Sequence, residues 1–313
     1  MADASVLPDL LALPELGVGA SLSFGVQPDP VALAARRDGP SFVEYAAPVQ
    51  PGFLGGALAR LKSDKVPLLY HPSCLNLCGT KANPAPWVDE VRRHVQSAGC
   101  PWLAQDVGVC FTNDEGGYSN QLGYFIAPVL TQASLDVAVD RVVEVKAQMD
   151  VPLLLEPPPV TFTVGDMGMF EWLNALAQRT DSGLLIDAGH VVAHQLVAGR
   201  TSENLTDGLD VIDFDRVVEM HIAGGALRPV DDDDAPLLYL DAHDLPILPE
   251  TWQVFRFLLE HTPHLKAVCV ECEGVLTDSV IPMLDQARRR VSHGTLNANL
   301  RDKVDAELAR AAA

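Results

Sequence analysis

Eight short apolar runs recur along this chain, and six of them stop at a residue able to bind a metal ion. VPLLYH ends at His71, PWLAQD at Asp106, VPLLLE at Glu156, GLLID at Asp187, VVEMH at His221 and AVCVE at Glu271. The first two runs, LGVGASL near Gly17 and SFVEYA near Glu44, have the same build, and of these only the second carries a carboxylate. Packing gives a buried strand no reason to end repeatedly in His, Asp or Glu. Strands whose ends face one shared site have that reason.

Segments of helical period separate the runs. Leu135, Val139, Val142, Val145 and Met149 fall on one face behind an expected N-cap at Ser134. Val88, Val91 and Val95 mark a second helix starting near Pro86. Phe170, Leu173 and Ala177 mark a third, and Trp252, Phe255 and Leu259 a fourth. Wholly apolar strands alternating with such helices indicate a parallel sheet covered on its outer side. Eight of them predict an α/β fold closed into a (β/α)8 TIM barrel, with an open doubly wound sheet as the rival. The even spacing, with no Gly-, Ser- or Pro-rich linker, predicts one unit over residues 1–313: a barrel over about 17–290 and a helical tail without chemistry over about 291–313.

Composition narrows the partners. A formal net charge of −20 argues against nucleic acid and anionic membranes. No window approaches a membrane span. Six cysteines in 313 residues are no disulfide scaffold, and Pro8, Asp9, Pro14 and Glu15 interrupt the N-terminal apolar stretch, so a reduced, cytoplasmic setting is expected. Only six lysines are present; Lys65 and Lys266 sit at strand starts, away from the expected site, and Lys81 alone falls in a loop on its side. A phosphosugar or nucleic-acid enzyme would bring more basic groups there.

In a barrel of this kind the site lies at the C-terminal strand ends. Two βα segments are long: one from Asp106 to about Thr131, holding Tyr118, Tyr124 and Phe125, and one from His221 to about Glu250, holding Asp241 and His243. Such loops bind substrate or close over it. The run Asp231 to Asp234 within the second reads as solvated loop.

Strand alternation puts Glu219 with His221 on one face, and Cys269 with Glu271 and Glu273. Cys272 then faces away, so Cys269 and Cys272 cannot chelate one ion. Cys74 and Cys78, in HPSCLNLCG, read as small apolar packing. In IDAGHVVAH the spacing puts Asp187, His190 and His194 on about one helix face; His194 either ligates or hydrogen-bonds to a ligand. The DAHD segment presents Asp241 and His243 on the same side. Glu44 is open between a metal ligand, a support for one, and a partner for a substrate cation.

The joint set is His71, Asp106, Glu156, Asp187, His190, His221, Asp241, His243 and Glu271. So many acids in one mouth would repel without a cation. At three or four ligands per ion they suit two or three ions, and imidazole with carboxylate suits iron, manganese or zinc.

These motifs resemble those of the multinuclear non-heme iron-dependent oxidases, also called DUF692, within the xylose-isomerase-like barrels. The resemblance runs from about Gly17 to Gly274, through GVGASL, FVEY, HPSCLNLCG, LLLEPP, LLIDAGH, MHIAGG and DAHD. It implies an oxidoreductase that binds two or three iron ions (Fe2+/Fe3+) and uses dioxygen. Its substrate would be a residue, Cys above all, of a ribosomally made precursor peptide, delivered with a peptide-recognition partner protein. By position it implies iron ligation by His71, Glu156, Asp187, His190, His221, Asp241, His243 and Glu271, with Asp241, His243 and Glu271 also catalytic. This chain departs from the family at AQDVG, where a D-H pair is common. It departs again at Pro157, where Asn commonly follows the Glu, and at His190, where many members have Asn. The alternatives are a divalent-metal sugar isomerase or epimerase on the same barrel, and a peptide-binding module with a degraded site.

Overall fold

Strands that are apolar on both faces need cover on both, and a closed barrel ringed by helices supplies it. In the computed structural model, which describes residues 7–23, 27–46, 55–72, 74–110, 126–229, 237–294 and 297–313, the strands close in that way. They are β1 (Gly17–Ser23), β2 (Val43–Ala46), β3 (Leu68–Tyr70), β4 (Leu103–Asp106), β5 (Leu153–Glu156), β6 (Gly183–Asp187) and β7 (Val217–Ala223), then a hairpin β8 (Gly225–Pro229) and β9 (Leu237–Asp241), then β10 (Ala267–Glu271). Around the barrel the order is β1-β10-β7-β6-β5-β4-β3-β2, every pairing parallel, while β8 and β9 form a separate antiparallel pair. The helices are α1 (Leu7–Leu11), α2 (Pro30–Ala34), α3 (Gly55–Ser63), α4 (Ala85–Ala98), α5 (Gln132–Lys146), α6 (Met169–Thr180), α7 (Ala188–Val197), α8 (Pro249–His261), α9 (Thr277–Ser292) and α10 (Ala298–Ala312).

Period-two alternation sorts the strand residues into two apolar layers. Outward side chains such as Val43, Leu68, Leu153, Leu155, Ile186 and Val268 pack under the helices. Inward ones, including Phe42, Leu69, Trp102, Leu154, Leu185 and Cys269, fill the barrel, closed from below by Leu10 and Leu16. Gly19 has no side chain because Phe42 takes its place: a Cβ there would lie 2.5 Å from the ring. On five strands an inward apolar residue is two positions before a polar one on the same face: Phe42 before Glu44, Leu69 before His71, Leu154 before Glu156, Leu185 before Asp187 and Cys269 before Glu271. The apolar floor and the polar mouth are therefore successive storeys of one interior.

Strand β7 carries an irregularity. Leu184 pairs with Val217 but Leu185 pairs with Glu219, so Val218 is an extra residue, a β-bulge. It lets Val218 join the inner layer while Glu219 and His221 still point inward.

One local expectation needs correction. Helix α5 begins earlier than Ser134: Thr131 is the N-cap, accepting from Ser134 N at 3.3 Å, and Ser134 answers as the third residue of a capping box. The C-terminal tail is a regular helix, and its Glu307 meets Arg288 Nε at 3.2 Å and Val18 N at 3.4 Å beneath β1. Tyr118, Tyr124, Phe125 and the run Asp231 to Asp234 lie outside the described residues. Among the described residues no helix is long and apolar enough to cross a membrane.

Candidate metal centre

At the C-terminal mouth, four histidines and four carboxylates alternate around a closed ring. His71 Nε2 lies 3.3 Å from Glu156 Oε2, and Glu156 Oε1 lies 3.3 Å from His190 Nδ1. His190 Nε2 is 3.4 Å from Asp241 Oδ2, which is 3.3 Å from His243 Nε2. His243 Nε2 is 3.5 Å from Glu271 Oε2, and Glu271 Oε1 is 3.3 Å from His221 Nδ1. His221 Nε2 is 3.2 Å from Glu44 Oε1, and Glu44 closes the ring on His71 Nδ1 at 3.7 Å.

Every histidine also has a carboxylate of its own outside the ring. Asp106 Oδ2 is 3.0 Å from His71, Asp187 Oδ1 3.9 Å from His190, Glu219 Oε1 3.8 Å from His221 and Glu273 Oε2 2.7 Å from His243. All nine residues singled out in the sequence are in this one assembly. Three more join them: Glu44, whose role was open, and Glu219 and Glu273, whose only signal was strand parity with His221 and Glu271.

The fold explains how each arrives. His71, Asp106, Glu156, Asp187 and Glu271 end, or directly follow, barrel strands, and His221 stands two residues before the end of β7. His190 opens α7, where Asp187 caps the helix by accepting from His190 N at 2.7 Å. Asp241 comes home on the β8–β9 hairpin, whose register sets it opposite Gly225. Gly224 permits the return, since a Cβ there would lie 1.8 Å from Leu245 O.

His194 is not in the ring. Asp187 precedes the helix, so seven residues on is about 10 Å down its axis. There His194 Nε2 meets Pro158 O at 2.9 Å and the ring packs edge-on to Phe170. Burial lowers its pKa to about 4, so it is a neutral donor to that carbonyl. All six cysteines are buried and free. Burial pushes Cys74, Cys78, Cys269 and Cys272 well up and Cys100 and Cys110 to about 12, so none offers a ready thiolate.

Asp241 Oδ2 meets His190 and His243 in hydrogen-bond geometry, but most other contacts in the ring are close and poorly aimed at one another. Both oxygens of Glu44, Nδ1 of His71, Oδ2 of Asp187, both ring nitrogens of His221, Oδ1 of Asp241 and Oε2 of Glu271 are buried without a well-formed hydrogen bond. Buried polar atoms are seldom left so. Two ligands about 2.0–2.2 Å from one ion, at angles of about 90–110°, stand roughly 3.0–3.4 Å apart, which is the spacing found here. Glu44, His71 and His221 each offer an atom within 4.8 Å of the others, as do His71, Asp106 and Glu156. Imidazole and carboxylate donors aimed at common points fit a group of transition-metal ions.

Electrostatics agree. Burial would lower His71, but the Asp106 hydrogen bond and the charges of Glu156, Asp106 and Glu44 raise it to about 10. His243 is likewise raised to about 12 against burial, chiefly by Glu271. Burial and the nearby Asp106 push Glu156 up to about 7; burial and Glu44 push Glu219 to about 8. Glu271 runs the other way, to about 2, because His243 and His221 outweigh its burial.

Stability should follow from these shifts. The raised groups favour the metal-free fold below their unfolded values. That contribution is lost as pH climbs, through about 7 and 8 for the two glutamates and about 10 for His71. The depressed Glu271 contributes above its unfolded value near 4.5 and loses this only as pH falls toward about 2. Metal-free protein should therefore be most stable near pH 4.5 and weaken toward pH 9. Bound metal replaces the protons, so the Tm gap between loaded and metal-free protein should widen over that range. Parallel melting curves from pH 6 to 9 would contradict it.

A parallel eight-stranded barrel with an acid–imidazole mouth of this kind defines a xylose-isomerase-like TIM barrel. Residues 31–291 match the model of a family described as "RiPP precursor modification enzyme MbnB/TglH/ChrH", and the chain belongs to that family. A UPF0276 protein of Paraburkholderia phytofirmans is 27% identical over 205 residues, 65% of this chain and 63% of that protein, short of two thirds of its length. A UPF0276 protein of Rhizobium meliloti is 28% identical over 250 residues, 77% of this chain and 76% of that one. Among solved structures, a xylose isomerase domain protein from Planctomyces limnophilus is similar with a TM-score of 0.52 at 13% identity, covering 94% of this chain and all 100% of that one. A xylose isomerase-like TIM barrel protein from Mycobacterium smegmatis, in complex with magnesium, gives 0.53 at 14%, covering 90% and 98%. At those identities the likeness bears on the fold alone.

Proposed function

We propose that this chain is an iron-dependent oxidase that uses dioxygen to modify a residue, Cys in the first instance, of a ribosomally made precursor peptide. The alternating ring carries this reading. Eight carboxylates face four imidazoles, and Glu219, raised to about 8 by burial and the nearby Glu44, accepts from Trp102 Nε1 at 2.7 Å. So large an excess of acids calls for two or three divalent cations once the imidazoles are neutral ligands.

His71, Asp106 and Glu156 would hold iron at one side of the ring, Glu44 and His221 would share the centre, and Asp187, His190, Asp241, His243 and Glu271 would hold the hairpin side. Iron bound there supplies electrons to dioxygen and Lewis acidity to a substrate thiolate. The protein's part is placement and exclusion. Trp102, Phe42 and Leu154 keep water from below. Exposure rises toward the hairpin, from 1% at the His221 side chain to 25% at His243, so the peptide enters beside His243, Asp241 and Glu271, the three residues we assign to catalysis. The family resemblance also implies a separate peptide-recognition partner protein. We place the reaction in the cytoplasm.

The test is anaerobic purification followed by metal counting and an oxygen electrode. Two or three irons per chain, with oxygen uptake that requires a Cys-containing precursor peptide and its partner, is the expected result. Full turnover with manganese, magnesium or zinc, indifferent to oxygen, would replace the reading by an isomerase or epimerase. Peptide binding without turnover in air, with ferrous iron and reductant supplied, would replace it by a binding module.

A further inference from the structure

Glu273 differs from the acids around it. Glu44, Asp187, Asp241 and Glu271 each keep a buried oxygen with no hydrogen-bond partner, free for an ion. Glu273 keeps none. Its Oε1 accepts from Ser21 Oγ at 2.5 Å, and its Oε2 lies 2.7 Å from His243 Nδ1. Ser21 is itself buried within β1, and the turn bearing Glu273 is pinned by Gly274 N donating to Gln27 O at 2.7 Å. Ser21 belongs to the barrel wall and Gln27 to the segment between β1 and α2, whereas His243 belongs to the excursion between β9 and α8.

The consequence is geometric. With Nδ1 donating to Glu273, the opposite nitrogen, Nε2, points between Asp241 Oδ2 and Glu271 Oε2, at 3.3 and 3.5 Å. A neutral imidazole held through Nδ1–H has its lone pair on Nε2, the arrangement by which a carboxylate orients a ligating histidine. The Ser21 hydroxyl points at the carboxylate and not at His243, so the trio is a clamp and no nucleophile relay.

We propose that Glu273, held by Ser21, is the positioning residue that fixes the tautomer and ring orientation of His243 and so completes the hairpin-side half of the metal centre. This rests on the metal reading of the mouth but not on iron, dioxygen or a peptide. One carboxylate thus ties the β9–α8 excursion, which carries His243, to the barrel wall.

The experiment uses Co2+, redox-silent here and visible by its d–d bands, titrated into wild type, Glu273→Ala, His243→Ala and the double variant. Glu273→Ala should weaken the last-filling Co2+ about 10–100-fold and alter its visible spectrum. His243→Ala should lose that ion's affinity at least as far, and adding Glu273→Ala to it should change nothing more. Ser21→Ala should produce a smaller loss of the same ion. A role confined to folding would instead lower the melting temperature of metal-free protein with the cobalt spectrum unmoved, and would add to His243→Ala; either result overturns the proposal. So do unchanged Co2+ affinity in Glu273→Ala and a wild type that takes up no Co2+. Wild type that binds Co2+ as described yet, loaded with iron, consumes no oxygen sinks the oxidase reading alone.

Discussion

His221→Ala abolishes metal-dependent turnover, by at least about 100-fold, while the barrel stays folded. Among the described residues no other side chain in the mouth stands among so many acids: Glu44 at 3.2 Å, Glu271 at 3.3 Å, Glu219 at 3.8 Å and Glu156 at 3.9 Å. Both of its ring nitrogens are buried without a proper hydrogen bond. With metal present, its loss removes a ligand from the middle of the ring. In metal-free protein it removes the imidazolium that these acids share, at a cost of about 3–5 kcal/mol typical of a broken buried ion pair. That is a large part of a domain's roughly 5–15 kcal/mol but does not exceed it, and partial protonation of Glu156 and Glu219 softens it. Metal analysis, oxygen uptake and far-ultraviolet circular dichroism on one preparation check the claim. His194→Ala is the control: it lies outside the ring, on Pro158 O, and should keep its metal content. A variant at 221 that loses its dichroism but keeps its metal would refute the assignment.

The barrel was legible because its signal is redundant. Apolar runs of strand length repeat eight times, six of them end in polar stops and helical segments separate them, so an error in one leaves the pattern intact. The mouth was legible for the same reason, through residues such as His71, Glu156 and Glu271 that close an apolar run. What resisted reading depends on facts absent from local pattern. Glu219 sits within a strand, below His221, and only the bulge at Val218 brings both inward. Glu273 shares the parity of Glu271 but stands past the end of β10, where parity no longer fixes direction, and its place is set by Ser21, 252 residues away. His194 was overreached, because helical spacing fixes a face but not a depth. The start of α5 had two hydroxyl candidates three residues apart, and they turn out to cap one helix together. Hairpin β8–β9 is short and lacks an alternating face, yet its register alone determines where Asp241 lands.

Leu154→Asp should do the reverse of His221→Ala and destroy the fold, with or without metal. Leu154 is fully buried in the barrel's inner layer, on β5 between Ala104 of β4 and Gly183 of β6. Its side chain fills the space that Gly183 leaves, where a Cβ would come 2.4 Å from Leu154 Cδ2. Removing the leucine costs about 2–5 kcal/mol in lost burial and cavity. A carboxyl in its place meets apolar neighbours, two residues below Glu156, which is already hard to ionise. Burying it unpaired costs several kcal/mol more, charged or not. The sum rivals the whole stability of a domain. Saturating metal cannot rescue it, since binding at a hundred to a thousand times Kd returns only about 2.7–4.1 kcal/mol. The expected result is insoluble or molten protein without a cooperative melt, whereas Leu154→Met, which conserves volume, should lose less than about 1.5 kcal/mol. A soluble Leu154→Asp protein melting at the wild-type temperature would mean that β5 does not face its Leu154 into a dry interior. The mouth built two residues above it would then lose the floor on which its low dielectric, and so its hold on cations, depends.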